Sequence, residues 1–177
     1  TARIRLAGAG TQNAGLAIGG ENPAGVATEE YNGSSWATSG NLGVASSALA
    51  GAGTQTDGLA FGGQSVPGST LRSTTQEYNG LAWAAGKAMG VARSHLSGAG
   101  TQNAGLAFGG KNPSITNLTE EYTYADYQVG AWNAAANMIT ARTSHAGAGI
   151  AEAAITFGGN DPVITTTEEY NGSSWSV

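Results

Sequence analysis

The chain has 177 residues, including 29 Gly, 32 Ala, 7 Lys or Arg, 12 Asp or Glu, and no Cys. Zero Cys excludes disulfide frameworks, Cys-ligated zinc, iron–sulfur clusters and thiol catalysis. A formal net charge of −5 with few, scattered cations argues against a nucleic-acid partner, which needs a basic stripe. Leu, Ile, Val and Phe total only 27 residues, a level met in disordered chains, yet the net charge is too modest for disorder. Something other than a thick aliphatic core must organise the fold.

The same wording recurs four times. The first unit, residues 1–43, opens on Thr1-Ala2, runs through GAGTQNAGLAIGG from Gly8, and closes with TEEYNGSSW at Trp36. The second, 44–90, opens on Val44-Ala45 and repeats as GAGTQTDGLAFGG from Gly51. Its next loop is four residues longer and brings in Arg72, and TQEYNGLAW ends at Trp83. The third, 91–139, opens on Val91-Ala92, repeats as GAGTQNAGLAFGG from Gly98, and carries a longer TEEYTYADYQVGAW to Trp132. The fourth, 140–177, opens on Thr140-Ala141, repeats as GAGIAEAAITFGG from Gly147, and ends TEEYNGSSW at Trp175. The spacings are 43, 47 and 49 residues, the size of a four-stranded propeller blade and near that of a helical repeat.

The segments favour strands. GAGT carries two Gly, costly in a helix interior. GLAFGG is a short apolar run closed by a double Gly. TEEY passes into Asn-Gly, a two-residue hairpin signal, at Asn32-Gly33, Asn79-Gly80 and Asn171-Gly172. Each unit therefore predicts strand A (ARxxLAGAG), strand B (GLAFGG), strand C (TEEY) and strand D beginning near the Trp. The expected fold is all-β, a single domain of four antiparallel four-stranded blades. Bulky residues at fixed places replace an aliphatic core: Ile18, Phe61, Phe108 and Phe157 on strand B, then one Tyr and one Trp per unit. Blade 1 is expected to meet blade 4 without strand exchange; the alternative is a larger ring or a longer array.

This pattern resembles the kelch repeat. The residues that carry the likeness are Gly19, Gly20, Glu29, Tyr31 and Trp36 in the first unit, and Gly62, Gly63, Tyr78, Trp83 and Arg93 across the second. They are Gly109, Gly110, Glu120, Tyr122, Trp132 and Arg142 in the third, and Gly158, Gly159, Glu168, Tyr170 and Trp175 in the fourth. Three features depart from the family. The Tyr-to-Trp gap is short in three units, only four units are present, and Gln76 and Ser46 replace the expected Glu and Arg. The Gly/Ala/Thr-rich wording is also similar to repeats in bacteriophage and marine viral structural proteins. Such resemblances imply a propeller scaffold with a structural or binding role, in a virion or extracellular setting.

Candidate contact residues lie in the loops. B–C loops hold all four Pro (Pro23, Pro67, Pro113, Pro162) and vary most, so Arg72, Asn112 and Asp161 are candidates on that face. The five-residue insertion in the third C–D hairpin places Tyr124, Asp126 and Tyr127 at a tip on the opposite face, suited to a sugar or a protein. Arg3, Arg93 and Arg142 recur at one position and are expected to bridge blades by pairing with Glu29, Glu120 and Glu168, rather than to ring the channel. His95 and His145 fall one repeat position apart and make no metal motif, so both are expected to be satisfied or exposed.

No cofactor, metal, catalytic residue or membrane insertion is expected. The chain lacks GxSxG, and its repeated carboxylates do not break the symmetry as an active site does. No apolar run nears the roughly 18 residues of a membrane span, and TARIRLAGAG lacks a signal-peptide core. The expected function is non-enzymatic, a structural or protein-binding module in a larger assembly. Alternatives are a carbohydrate-binding propeller that meets a surface glycan, and a designed or consensus-like repeat scaffold. An enzyme domain like the kelch-type oxidases would share the scaffold only.

Overall fold

The computed structural model of the chain describes residues 1–21, 25–125, 129–160 and 163–177. It is an all-β, four-bladed propeller, as the repeat predicts. Blade 1 consists of β1 (Ala7–Thr11), β2 (Ala14–Ile18), β3 (Thr28–Tyr31) and β4 (Trp36–Thr38). A two-residue strand, β5 (Ser46–Ser47), precedes blade 2, which contains β6 (Ala50–Gly53), β7 (Gly58–Phe61), β9 (Thr75–Tyr78) and β10 (Trp83–Gly86). Between β7 and β9 lies β8 (Gln64–Ser65), paired with β5. Blade 3 is β11 (Ser97–Gly100), β12 (Ala104–Phe108), β15 (Thr119–Ala125) and β16 (Val129–Ala135), with the small β13 (Lys111–Asn112) and β14 (Ser114–Ile115) in its loop. Blade 4 is β17 (Ala146–Ile150), β18 (Ala153–Phe157), β19 (Thr167–Tyr170) and β20 (Trp175–Ser176). Every blade is a simple antiparallel meander.

The inner strands β1, β6, β11 and β17 surround an axial cavity of about 200 Å³. Its wall is Ala and Gly with Leu49, Leu96 and Ser97, and no charged group. Small residues are obligatory there. A Cβ on Gly51 would stand 2.8 Å from the carbonyl oxygen of Gly8, and one on Gly98 would stand 2.8 Å from that of Gly51. Adjacent blades thus approach backbone to backbone at the axis. Further out, Leu16, Ile18, Leu59, Phe61, Leu106 and Phe108 are buried between sheets, as are Tyr78 and Tyr122. Apolar burial between flat sheets, aided by Tyr–Trp pairs with ring centroids 4.8–5.2 Å apart, supplies the core that aliphatic content alone would not.

Two local expectations need correction. Strand A does not run through ARxxLAGAG. At Arg5, Ala48, His95 and Ser144, one repeat position, the backbone turns left-handed with φ of 50–56°. The segment before that turn leaves the blade and bridges the residue after the double Gly, as in Ile4–Glu21 and Ser94–Lys111. The Asn-Gly hairpins are likewise not two-residue turns. Residues 32–35 form the loop, with Asn32 Oδ1 accepting from the amides of Ser34 and Ser35 at 3.0 Å, and Asn79 and Asn171 do the same. An Asx-type turn satisfies two amides with one side chain, and only the Gly then needs positive φ.

The joints between blades are built alike. Across joint 1–2, Trp83 Nε1 donates to Thr28 Oγ1 (2.9 Å) and Tyr78 OH to Glu30 (2.5 Å). Across joint 2–3, Trp132 donates to Thr75 (2.9 Å) and Tyr122 to Glu77. Across joint 3–4, Trp175 donates to Thr119 (3.1 Å) and Tyr170 to Glu121 (2.6 Å). The left-handed residues form a backbone chain round the axis, each amide donating to the preceding blade: Ala48 to Arg5, His95 to Ala48, and Ser144 to His95. The second Gly of each double Gly donates forward, from Gly20 to Ser46, Gly63 to Arg93 and Gly110 to Arg142.

Among the described residues, blades 1 and 4, expected to meet, do not share the hydrogen bonds that build these three joints. Trp36 is 53% exposed and Phe157 45% exposed, although their counterparts in the middle blades are packed. The repeat sequence alone does not set the angle between neighbouring blades, and that angle determines whether four of them close.

Candidate functional site

The recurrent Arg residues pair with the expected carboxylates. Arg3 meets Glu29 at 2.6 Å, Arg93 meets Glu120 at 2.9 Å, and Arg142 meets Glu168 at 2.6 Å. These pairs lie within one repeat unit rather than between blades, which corrects the bridging role. The carboxylate also collects amides of the connection that leads in from the preceding blade: Gly90 to Glu120 at 2.7 Å, and Ile139 and Thr140 to Glu168 at 2.7 and 3.0 Å. In the second unit both partners change together. Ser46 replaces the Arg, Gln76 replaces the Glu, and Gln76 Oε1 still accepts from Gly43 and Val44 at 2.7 and 3.2 Å. Losing one charge alone would strand the other in a buried site, so the neutral couple is a matched substitution. Burial pulls the Arg93 guanidinium below its ordinary pKa, opposed by Glu120 beside it.

His145 is neither satisfied nor exposed. It occupies the position of Leu6, Leu49 and Leu96, stacks on Phe108 at 5.7 Å, and both its ring nitrogens are buried without a partner. Burial lowers its pKa to about 4, helped by Arg142 nearby and opposed by Glu168. His95 sits at the axial end, with Nδ1 3.0 Å from Ser94 Oγ. Its pKa is lowered by burial first, then by Arg5 and Lys111.

The chain's symmetry breaks most clearly on the B–C face. The residue after the double Gly is Glu21, Gln64, Lys111 or Asn160, different in each blade. Glu21 is held by backbone bonds to Ile4 in both directions, at 2.8 and 3.2 Å. Its Oε1 accepts from Arg5 Nη1 at 2.9 Å, Ser47 Oγ at 2.9 Å and Gln64 Nε2 at 3.5 Å. The Ser47 hydroxyl, then Arg5, hold this carboxyl below its usual range. The longer loop of unit 2 supplies the other wall. Ser65 N donates to Thr70 O at 2.9 Å, and Ser65 Oγ accepts from Thr70 N at 3.1 Å, which folds residues 66–69 over the site. Arg5, Glu21, Gln64, Val66, Pro67, Gly68 and Ser69 enclose about 560 Å³. The cavity offers an ionised carboxylate, a guanidinium and a carboxamide beside an apolar Val-Pro edge. It suits a polar side chain or hydroxyl-bearing ligand.

The sequence-predicted contact residues do not gather here. Arg72 lies at the loop's return, with N–H to Gly63 O (2.9 Å) and its own carbonyl accepting from Arg93 N (3.1 Å), but it does not line the cavity. Asn112 is exposed in β13, over blade 3. Tyr124 is 37% exposed on the opposite face, where its amide donates to Asn103 O at 3.0 Å. Asp126, Tyr127 and Asp161 lie outside the described residues. Sequence reasoning missed Arg5, Glu21 and Gln64. Their signal was the variation at two positions inside otherwise repeated wording, the one after the double Gly (Glu21, Gln64, Lys111, Asn160) and that of Arg5 (Ala48, His95 and Ser144 in the other units).

Among the described residues, no group of three or more His, Asp or Glu is placed to hold a metal. Among the described residues, no helix is long and apolar enough to cross a membrane. No protein-family model matches the chain, and no curated protein matches it significantly. Its structural identity is that of a four-bladed β-propeller.

Proposed function

We propose that the chain is a non-enzymatic structural and binding module, a kelch-like propeller that holds its variable loop face toward a protein partner in a larger assembly, a virion or another extracellular structure. The use of its titratable groups carries this reading. Glu30, Glu77 and Glu121 each accept a Tyr hydroxyl from the next blade, and Glu29, Glu120 and Glu168 each hold an Arg. The scaffold occupies its carboxylates in the same way in successive blades, and the asymmetric cavity is walled by loop residues suited to recognition. The virion setting rests on the likeness of the repeat wording to viral structural proteins.

A second reading, a carbohydrate-binding propeller, is favoured by the same cavity, whose carboxylate, amide and Pro edge match sugar hydroxyls and an apolar sugar face. A glycan array separates the two. We expect no saturable glycan signal from the wild-type chain. A signal abolished by Gln64→Ala would move the function to carbohydrate. Turnover of an array glycan that disappears in Glu21→Gln would overturn the non-enzymatic reading.

A further inference from the structure

The three joints define two half-surfaces. One, the donor half, presents Tyr and Trp. The other, the acceptor half, presents the strand B aromatic or Ile together with the Thr and Glu of strand C. In blade 4 the acceptor half is bare, and burial alternates residue by residue. Along β19, Thr167 and Glu169 are exposed while Glu168 and Tyr170 are buried. Along β18, Phe157 is exposed while Thr156 is buried. In blade 1 the donor half is bare. All three residues of β4 are exposed, Trp36 among them, and Tyr31 is only half-buried. In the middle blades both faces of β7 are buried. A Cβ added at Gly62 or Gly109 would collide with the next blade, whereas one at Gly158 would meet nothing within 4 Å. Shallow concavities of about 300 Å³ beside Leu6 and Trp36, and about 380 Å³ beside Ile155 and Glu169, mark the two faces.

We infer that these faces are the two halves of a fourth joint and that its occupant is a second copy of this chain, bound head to tail, blade 1 of one copy on blade 4 of the other. The argument is complementarity. The Trp, Tyr, Thr and Glu that make the internal joints all have counterparts at the ends, and among the described residues these bond to nothing across a joint. Trp36 stands where Trp83, Trp132 and Trp175 stand, and Thr167 stands where Thr28, Thr75 and Thr119 accept them. Tyr31 and Glu169 correspond in the same way to Tyr78 and Glu30. The two faces differ from each other and each lacks the other's half, so the contact is heterologous rather than a face pairing with itself. Large exposed aromatic surface opposite a matching acceptor face is a feature of interaction sites. The inference uses none of the loop-face residues, so its failure leaves the proposed function untouched.

The test is light scattering on the full chain over a concentration series, with two variants, Trp36→Ala and Phe157→Ala. Both side chains are about half exposed in the single chain, so both variants should fold with unchanged circular dichroism. The wild type is expected to show masses at multiples of 17.6 kDa. Each variant alone should be at least tenfold weaker in self-association. An equimolar mixture should recover a one-to-one dimer, because one copy retains the intact donor face and the other the intact acceptor face. A wild type that stays at 17.6 kDa throughout, variants that associate as the wild type does, or a mixture that shows no recovery would each overturn the inference.

Discussion

The paired change at Ser46 and Gln76 makes a quantitative prediction for the blade below. Replacing Arg93 by Ser leaves Glu120, 6% exposed, without its counter-charge. Breaking a buried ion pair from one side costs about 3–5 kcal/mol. Glu120→Gln alone strands Arg93, fully buried, at a similar cost. The double variant copies the arrangement that blade 2 already uses, in which Gln76 keeps the 2.7 Å bond from Gly43 and Ser46 Oγ turns to Val44 O at 3.4 Å. Its cost should fall to about 1–2 kcal/mol, the residue of lost arginine packing. The coupling in a double-mutant cycle is then at least about 4 kcal/mol, a large share of a typical net stability of roughly 5–15 kcal/mol. Urea unfolding followed by Trp fluorescence measures all four corners. Single-variant losses that simply add, with coupling below about 0.5 kcal/mol, would refute the matched-pair reasoning.

Three further outcomes follow from other sites. His145 has a folded pKa of about 4, below its ordinary 6.5, so the unfolded chain takes up a proton in that interval that the folded chain does not. Its contribution is fully present above about pH 6.5 and is lost as the pH falls toward 4, up to about 3 kcal/mol; His145→Leu, which restores the residue of Leu49 and Leu96, should flatten the acid limb of a stability–pH curve. Gly109→Ala and Gly158→Ala test close packing at one repeat position. Both suffer positive φ, about 1–2 kcal/mol, but only Gly109 also faces the His145 ring at 2.5 Å, so its melting temperature should drop much further. Tyr122→Phe removes the hydroxyl that donates to Glu77 and should cost about 1.5–3 kcal/mol at pH 8. Burial, then Glu77, raise the Tyr122 pKa. That contribution is therefore complete below pH 10 and fades as the pH rises past the raised value, so the wild-type advantage in thermal melts should shrink at strongly alkaline pH.

Much of the architecture was readable from the residues alone. Period and punctuation are local properties. A double Gly can end a strand wherever it stands, and TEEY followed by a turn makes a hairpin edge whatever surrounds it. The Arg–Glu partnership was also readable, since two positions that recur in register must lie at fixed places in every blade. The finer local geometry was not. The left-handed turn at Arg5, Ala48, His95 and Ser144 falls on four different side chains, none of them Gly, because backbone bonds between blades hold it there. The candidate site was hidden for a related reason. Arg5, Glu21, Ser47 and Gln64 come from two units and meet only because the segment before each inner strand folds back on the residue after the double Gly.

Repetition dictated the blade: its strand count, its Gly-rich inner edge and its aromatic placement follow from one unit's wording. It could not dictate the ring, because identical wording is compatible with any number of blades. Packing at the joints decides how neighbours meet, and here Trp36 and Phe157 are left on uncovered faces. Composition therefore specified how each blade holds together, and the sum of long-range contacts specified which surfaces remain available for a partner.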